Sequence, residues 1–117
     1  MVVNVNKILM SLKNELKGYD IAPDIYDGKS DKWGVFSYTD ERGSLFADND
    51  EEAVTARIML TFYTPKNYNY MQDKGIVKDF LKRNGFENIT YSSWVDQDQH
   101  GTEYMRHQVW EFDYTTT

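Results

Sequence analysis

Residues 54–63 read VTARIMLTFY, and this stretch decides the fold. Apolar side chains recur at every second position, which is typical of a strand with one buried face. That face carries Val54, Ala56, Ile58, Leu60 and Phe62. Pro65 ends the strand, because proline has no amide hydrogen to donate to a sheet. A β-sheet is therefore predicted at the centre of the protein.

Two segments outside this strand have the periodicity of helices. The first covers about Asn4–Lys17, where Asn4 can cap the start and Gly18 can end the helix. Its apolar face carries Val5, Ile8, Leu9, Leu12 and Leu16. The second begins at residue 69 or 70 and ends at Asn84, before Gly85. Its apolar face carries Ile76, Val77, Phe80 and Leu81.

The segment between the first helix and the acidic stretch predicts two strands. Tyr19–Tyr26 contains Pro23 and is expected to be an edge strand or an irregular one. Residues 27–31 form a turn cluster, and Lys32–Tyr38 alternates weakly. Together they predict a β-hairpin.

The last third of the chain predicts a second hairpin. Phe86–Val95 and Thr102–Tyr114 are strands, and residues 96–101 are rich in turn formers. In the last strand one face carries Tyr104, Trp110, Phe112 and Tyr114, and the other carries Met105, His107 and Val109.

Residues 39–52 have no periodicity and are strongly acidic. Six carboxylates against one arginine give this stretch a charge of −5, so we expect a long exposed loop. The whole chain, 1–117, is predicted to be one α+β domain: an antiparallel sheet with two helices packed on one face, in the order α-β-β-β-α-β-β. The expected core places Ile58, Leu60 and Phe62 beneath Leu9, Leu12, Ile76 and Phe80.

Composition narrows the classes of function. The 117 residues carry a net charge of −6, which argues against broad phosphate binding, and contain no cysteine. No export signal and no membrane span are visible, so we expect a protein made to work in the cytoplasm or in something assembled there.

No constellation for catalysis or metal binding stands out. His100 and His107 lack a third ligand for zinc, and we expect a loop residue and a hydrogen-bonded strand residue instead. The acidic run from Asp48 fails the EF-hand pattern, since its sixth position is Ala53 and its twelfth is Met59. No nucleophile elbow or phosphate loop is present. We therefore expect no enzyme, no cofactor, no metal, and no catalytic residue.

Two features remain for partner binding. Tyr63, Tyr68 and Tyr70 lie near lysines, a pattern that suits either single-stranded nucleic acid or, as we favour, a protein interface. The second helix region has a charge of +3. These charges are either ordinary solvated surface or an interface between subunits. The interface hypothesis pairs the acids Asp48, Asp50, Glu51 and Glu52 with the bases Lys74, Lys78, Lys82 and Arg83.

The order of these patterns resembles the tail-completion, or tail-terminator, proteins of long-tailed, siphovirus-type bacteriophages. Residues 25–33 (IYDGKSDKW) resemble the family's first hairpin, and 46–50 (FADND) its acidic loop. Residues 58–64 resemble its central strand and 84–86 (NGF) its helix stop. The run from Asp96 to Phe112 is similar to its last hairpin. The resemblance covers roughly residues 4–114.

The resemblance implies a structural virion protein, assembled in the host cytoplasm and located at the neck of the tail. Subunits of that family form a hexameric ring that ends the tail tube, stops its growth and docks to the head connector. Expected partners are further copies of the chain, the tube protein and the connector. DNA would pass through the ring without a specific nucleic-acid site, and no membrane is involved. The alternatives are a head-tail adaptor or tube-like protein, and then a small cellular α+β binding domain.

Overall fold

The computed structural model describes residues 5–43, 54–97 and 104–116. The elements along the chain are α1 (Val5–Met10), a 3₁₀ helix (Ser11–Asn14), β1 (Asp20–Pro23), β2 (Trp33–Gly43), β3 (Val54–Pro65), α2 (Met71–Arg83), β4 (Glu87–Gln97) and β5 (Tyr104–Thr116). The strands form one sheet with the spatial order β1-β2-β3-β5-β4. The predicted α+β class and the predicted order of helices and strands are confirmed.

The pairing of β1 with β2 differs from the prediction. The two strands are parallel, with Asp20 beside Trp33 and Pro23 beside Phe36, so the predicted hairpin is wrong and the sheet is mixed. Residues 24–32 return the chain to the start of β1, where the Ser30 hydroxyl bonds the Gly18 carbonyl at 3.1 Å. A connection this short suffices because β1 has only four residues. The stretch likened to a first hairpin is thus largely this connection.

The predicted acidic loop begins later than expected. β2 continues to Gly43, which pairs with Val54 of β3. The register shifts between Tyr38 and Asp40, as at a β-bulge. A bulge adds one residue to one strand of a pair, which explains why the two-residue alternation of the sequence is lost there. The rest of that predicted loop, 44–52, lies outside the described residues.

The first helix is shorter than its periodicity predicts. α1 ends at Met10 and a 3₁₀ helix follows, with the Ser11 hydroxyl bonded to the Ile8 carbonyl at 2.5 Å. A serine bonded to the backbone in this way competes with regular helical hydrogen bonding. The predicted apolar face survives the change, since Leu9, Leu12 and Leu16 are all buried.

The end of α2 follows the prediction closely. Gly85 has φ +82°, the left-handed conformation that glycine adopts without strain. The amide of Gly85 bonds the Lys82 carbonyl and the amide of Phe86 bonds the Leu81 carbonyl, which is the Schellman arrangement. Phe86 is thereby turned into the core beside β5.

The core lies on one face of the sheet, beneath both helices. Cross-strand neighbours on that face include Phe36 with Leu60, Leu60 with Trp110, and Ile58 with Phe112. The helical members of the same cluster are Val5, Leu9, Leu12, Val77, Phe80 and Leu81. The predicted burial of Ile58, Leu60 and Phe62 beneath both helices is confirmed. No described helix covers the other face, which we call the open face.

Candidate functional site

A row of five rings crosses the open face, and we call it the aromatic row. Trp33, Tyr63, His107 and Trp94 are direct cross-strand partners on β2, β3, β5 and β4, and Tyr26 adds a ring from the β1–β2 connection. The ring centroids are 5.4 Å apart for Tyr26–Trp33 and 5.2 Å for Trp33–Tyr63. They are 4.7 Å apart for Tyr63–His107 and 5.3 Å for His107–Trp94.

Within the aromatic row the faces of Trp33 are covered by neighbouring rings, whereas the ring at its β4 end is accessible. Trp33 is stacked between Tyr26 and Tyr63, with ring planes inclined by 19° to each. A flat ligand such as a nucleobase would have to displace one ring in order to stack on another. The last ring, Trp94, is 45% exposed, and among the described residues its one stacked neighbour is His107. The row therefore offers a side chain of a partner one accessible ring at the edge of the sheet.

The edge that carries Trp94 is protected near its ends, by a register shift between Glu87 and Thr90 and by the charge of Asp96, but less so in its middle. β4 is an outer strand of 11 residues, and its residues 88–95 (NITYSSWV) include no charged side chain. Natural edge strands are commonly short, charged or interrupted by proline, because free edges pair with other chains. β1, the opposite edge, is short and ends at Pro23. β4 is the edge better suited to contact another protein.

His107 sits inside the aromatic row as a neutral ring. Burial lowers the pKa of its imidazole, and the Asp96 carboxylate acts in the opposite direction more weakly. Its Nε2 atom is buried and has no hydrogen-bond partner among the described residues. The prediction of a hydrogen-bonded strand histidine is therefore not met at this atom. The ring stacks on Trp94 and meets Tyr63 edge-on.

A second cluster lies where β3 ends and α2 begins, and we call it the cation–aromatic corner. Three cations lie over three tyrosine rings, at 5.8 Å for Lys66 over Tyr104, 4.2 Å for Lys74 over Tyr91 and 4.4 Å for Arg106 over Tyr70. The pairs are adjacent because the Lys74 amide bonds the Tyr70 carbonyl one helical turn away, and the Arg106 guanidinium bonds the Ser93 hydroxyl at 2.7 Å.

The cations of this corner have no carboxylate partner among the described residues. The Nε atom of Arg106 and the hydroxyl of its cross-strand neighbour Thr64 are both buried without a hydrogen-bond partner there. Lys74 and Arg106 are half-buried, whereas Lys66 is exposed. Positive charge is thus concentrated and held in place at one end of the sheet.

A third cluster joins β1, β2 and α2, and its role is structural. The phenol groups of Tyr19 and Tyr68 both donate to Asp73 Oδ2, at 2.8 and 2.6 Å. Burial and the bond to Asp73 hold the pKa of Tyr19 far above its usual range. Lys32 Nζ lies over both rings, 4.8 Å from Tyr19 and 4.3 Å from Tyr68.

The three tyrosines predicted as docking residues do not form one site. Tyr63 belongs to the aromatic row, Tyr68 to the cluster around Asp73, and Tyr70 to the cation–aromatic corner. The three tyrosines are close in the sequence but not in space, because the chain turns after Pro65.

The predicted interface cations also separate. Lys74 belongs to the corner, while Lys78 and Lys82 are exposed on α2. Arg83 is already engaged within the chain, at 2.6 Å from Glu15 and 3.0 Å from Asp79. The predicted acidic partners Asp48, Asp50, Glu51 and Glu52 lie outside the described residues. Arg106 also belongs to the corner, although it was not among the predicted interface cations.

The described residues were also considered for metal binding and for membrane-spanning helices. No group of three or more histidine, aspartate or glutamate side chains is placed to hold a metal ion in that part of the chain. Within the same residues, no helix has the length and apolar character needed to cross a membrane.

Comparison of the chain with protein-family models and with curated proteins found no match.

Proposed function

We propose that this chain is a structural bacteriophage protein that forms a ring, a hexamer by its resemblance to tail terminators. The ring ends the tail tube, stops its growth and joins the tail to the head connector. The order of helices and strands on which the resemblance depends is present in the fold. Copies of the chain, the tube protein and the connector are its partners.

The observation that carries this proposal is the open face together with the uncharged middle of the β4 edge. Aromatic side chains and uncharged strand edges favour contact with other proteins. Here the aromatic row crosses the open face and ends at the exposed Trp94 on the β4 edge. A subunit of an assembly needs such a surface.

A tube-like protein or a head-tail adaptor is the alternative within the same class. The distinction lies in how assembly stops: a tube protein continues into filaments, whereas a terminator closes one ring. Different patches that meet head to tail permit either outcome, depending on whether the rotation closes.

Electron microscopy of the purified chain, alone and with tail tubes, tests the proposal. We expect single rings of uniform diameter, and one ring at one end of each tube with no further tube growth. Long filaments of the chain alone would replace the proposal with a tube protein. A monomer that leaves tubes uncapped at micromolar concentration would overturn the structural role.

A further inference from the structure

We propose that the cation–aromatic corner of one copy binds the acidic segment, residues 44–53, of a second copy. This inference rests on the proposed ring and names the contact that would build it. Of the predicted receiving cations it keeps Lys74, and it replaces Lys78, Lys82 and Arg83 by Lys66 and Arg106.

The first argument is that the corner's charges have no carboxylate partner among the described residues. Arg83 already has Glu15 and Asp79 as partners, but no described carboxylate contacts Lys74 or Arg106. A half-buried cation without a counter-charge favours an incoming anion more than an exposed one does, because screening by water is weaker there.

The second argument is that the cations are preorganised. Tyr70 and Tyr91 lie under Arg106 and Lys74, and the Ser93 hydroxyl accepts a bond from the Arg106 guanidinium. Side chains that are already ordered lose less conformational freedom when a ligand binds. The corner is therefore better suited to hold carboxylates than the exposed lysines of α2.

The third argument is charge complementarity within the chain. Segment 44–53 carries Asp48, Asp50, Glu51 and Glu52 and no basic residue. Leu45 and Phe46 precede the acids and can supply apolar contact beside the tyrosine rings. An acidic protein segment suits the corner better than a nucleic acid, since the chain as a whole has a net charge of −6.

The fourth argument is the distance between the chain's own segment and the far part of the corner. The segment starts and ends at the paired residues Gly43 and Val54, while Thr64 and Arg106 pair ten positions along β3. At roughly 3.3 Å per residue the corner lies about 33 Å from that end. Ten residues anchored at both ends reach about 18 Å at most. A second copy can deliver the acids to Arg106 and Lys66, which lie beyond this reach.

Such a contact joins opposite ends of a molecule whose longest dimension is 51 Å. It is heterologous, with the segment of each copy on the corner of the next, and such contacts generate rings when the rotation closes. The corner would thus determine how successive subunits are placed.

Assembly of charge variants tests the contact. Lys66→Glu with Lys74→Glu should raise the concentration at which rings half-assemble by about tenfold or more, because repulsion replaces attraction. The matched control, Lys78→Glu with Lys82→Glu, changes charge equally on the exposed part of α2 and should shift it by no more than about twofold. Equal effects of the two pairs would overturn the inference. A segment in which the four acids are replaced by lysine should restore rings with the corner variant.

Peptide binding tests the site without requiring a ring. The receptor is the full chain with Asp48→Asn, Asp50→Asn, Glu51→Gln and Glu52→Gln, so that its own segment does not compete. A labelled peptide of residues 44–53 should bind it, and Lys66→Glu with Lys74→Glu should weaken binding about tenfold. A peptide with the four acids neutralised should bind no better than that corner variant.

The outcomes separate this inference from the proposed function. If rings cap tubes and the corner variants assemble as well as the unchanged chain, the inference is overturned and the proposed function stands. A chain that binds the peptide but never caps tubes would overturn the function and leave the site. Tighter binding of oligothymidine than of the acidic peptide, at equal salt, would replace the inference with a nucleic-acid site.

Discussion

The two faces of the sheet bury aromatic side chains in different ways. On the core face, Trp110 and Phe112 lie beneath the helices and are almost wholly removed from water. On the open face, Trp33 and Tyr63 are only half-buried and are covered mainly by each other and by neighbouring rings. Core burial depends on how helices pack on the sheet, whereas the open face depends on strand register alone.

The difference has a consequence for how each face tolerates change. A side chain removed from the core leaves a cavity that its neighbours cannot fill. A side chain removed from the aromatic row admits water and costs mainly the stacking with adjacent rings. The open face can therefore change its rings for a partner at a lower cost in stability than the core can.

Leu60→Ala against Met59→Ala is the largest expected contrast, since the two residues are adjacent on β3 but face opposite sides. Leu60 is fully buried, so its truncation should lower the free energy of unfolding by roughly 2–5 kcal/mol. Met59 is half-buried on the open face and should cost less than half as much. Denaturant melts measure both. Equal costs would mean that the open face is covered in solution, as by a second subunit.

Trp33→Ala against Trp94→Ala sharpens the comparison within the aromatic row. Trp33 has a stacked ring on each side and Trp94 has one. Each aromatic pair contributes about 0.5–1.5 kcal/mol, so Trp33→Ala should cost about 1–3 kcal/mol from stacking and Trp94→Ala about half of that. Urea unfolding followed by circular dichroism compares them. A larger cost at Trp94, in the monomer, would contradict the row as described.

The pH dependence due to His107 is the smallest expected effect. Burial lowers the pKa of His107 below its ordinary value of 6.5, so the unfolded chain binds a proton more readily than the folded one. The stability due to the neutral ring is complete above pH 6.5 and is lost as the pH falls through the lowered pKa. Melts at successive pH values measure the slope, and His107→Gln, which cannot titrate, should have a smaller one. An unchanged slope in that variant would show that other groups cause the pH dependence.

Much of the fold followed from the sequence because its signals are local. The alternation of Ile58, Leu60 and Phe62 predicts their face correctly, and Asn84-Gly85 predicts the end of α2. Two other local signals were overridden. The Ser11 hydroxyl bonds the Ile8 carbonyl at the point where the sequence pattern predicted a continuous helix. The bulge after Tyr38 breaks the alternation of the sequence, so the second half of β2 was predicted as a loop.

The candidate surfaces were harder to predict, because their members come from distant parts of the chain. Trp33, Tyr63 and His107 become neighbours only through the pairing of β2, β3 and β5. Arg106 joins Lys74 only because β5 lies beside β4 under the start of α2. No spacing in the sequence signals either arrangement.

The sequence by itself determined the order of the strands and helices and the inward faces of β3 and of both helices, because those properties depend on residues two to four positions apart. Tertiary structure decided the parallel pairing of β1 and the register that aligns the aromatic row. It also placed Arg83 beside Glu15 and Asp79, and Arg106 over Tyr70. These depend on strand order and on contacts between residues far apart in the chain. Local periodicity carries no information about them.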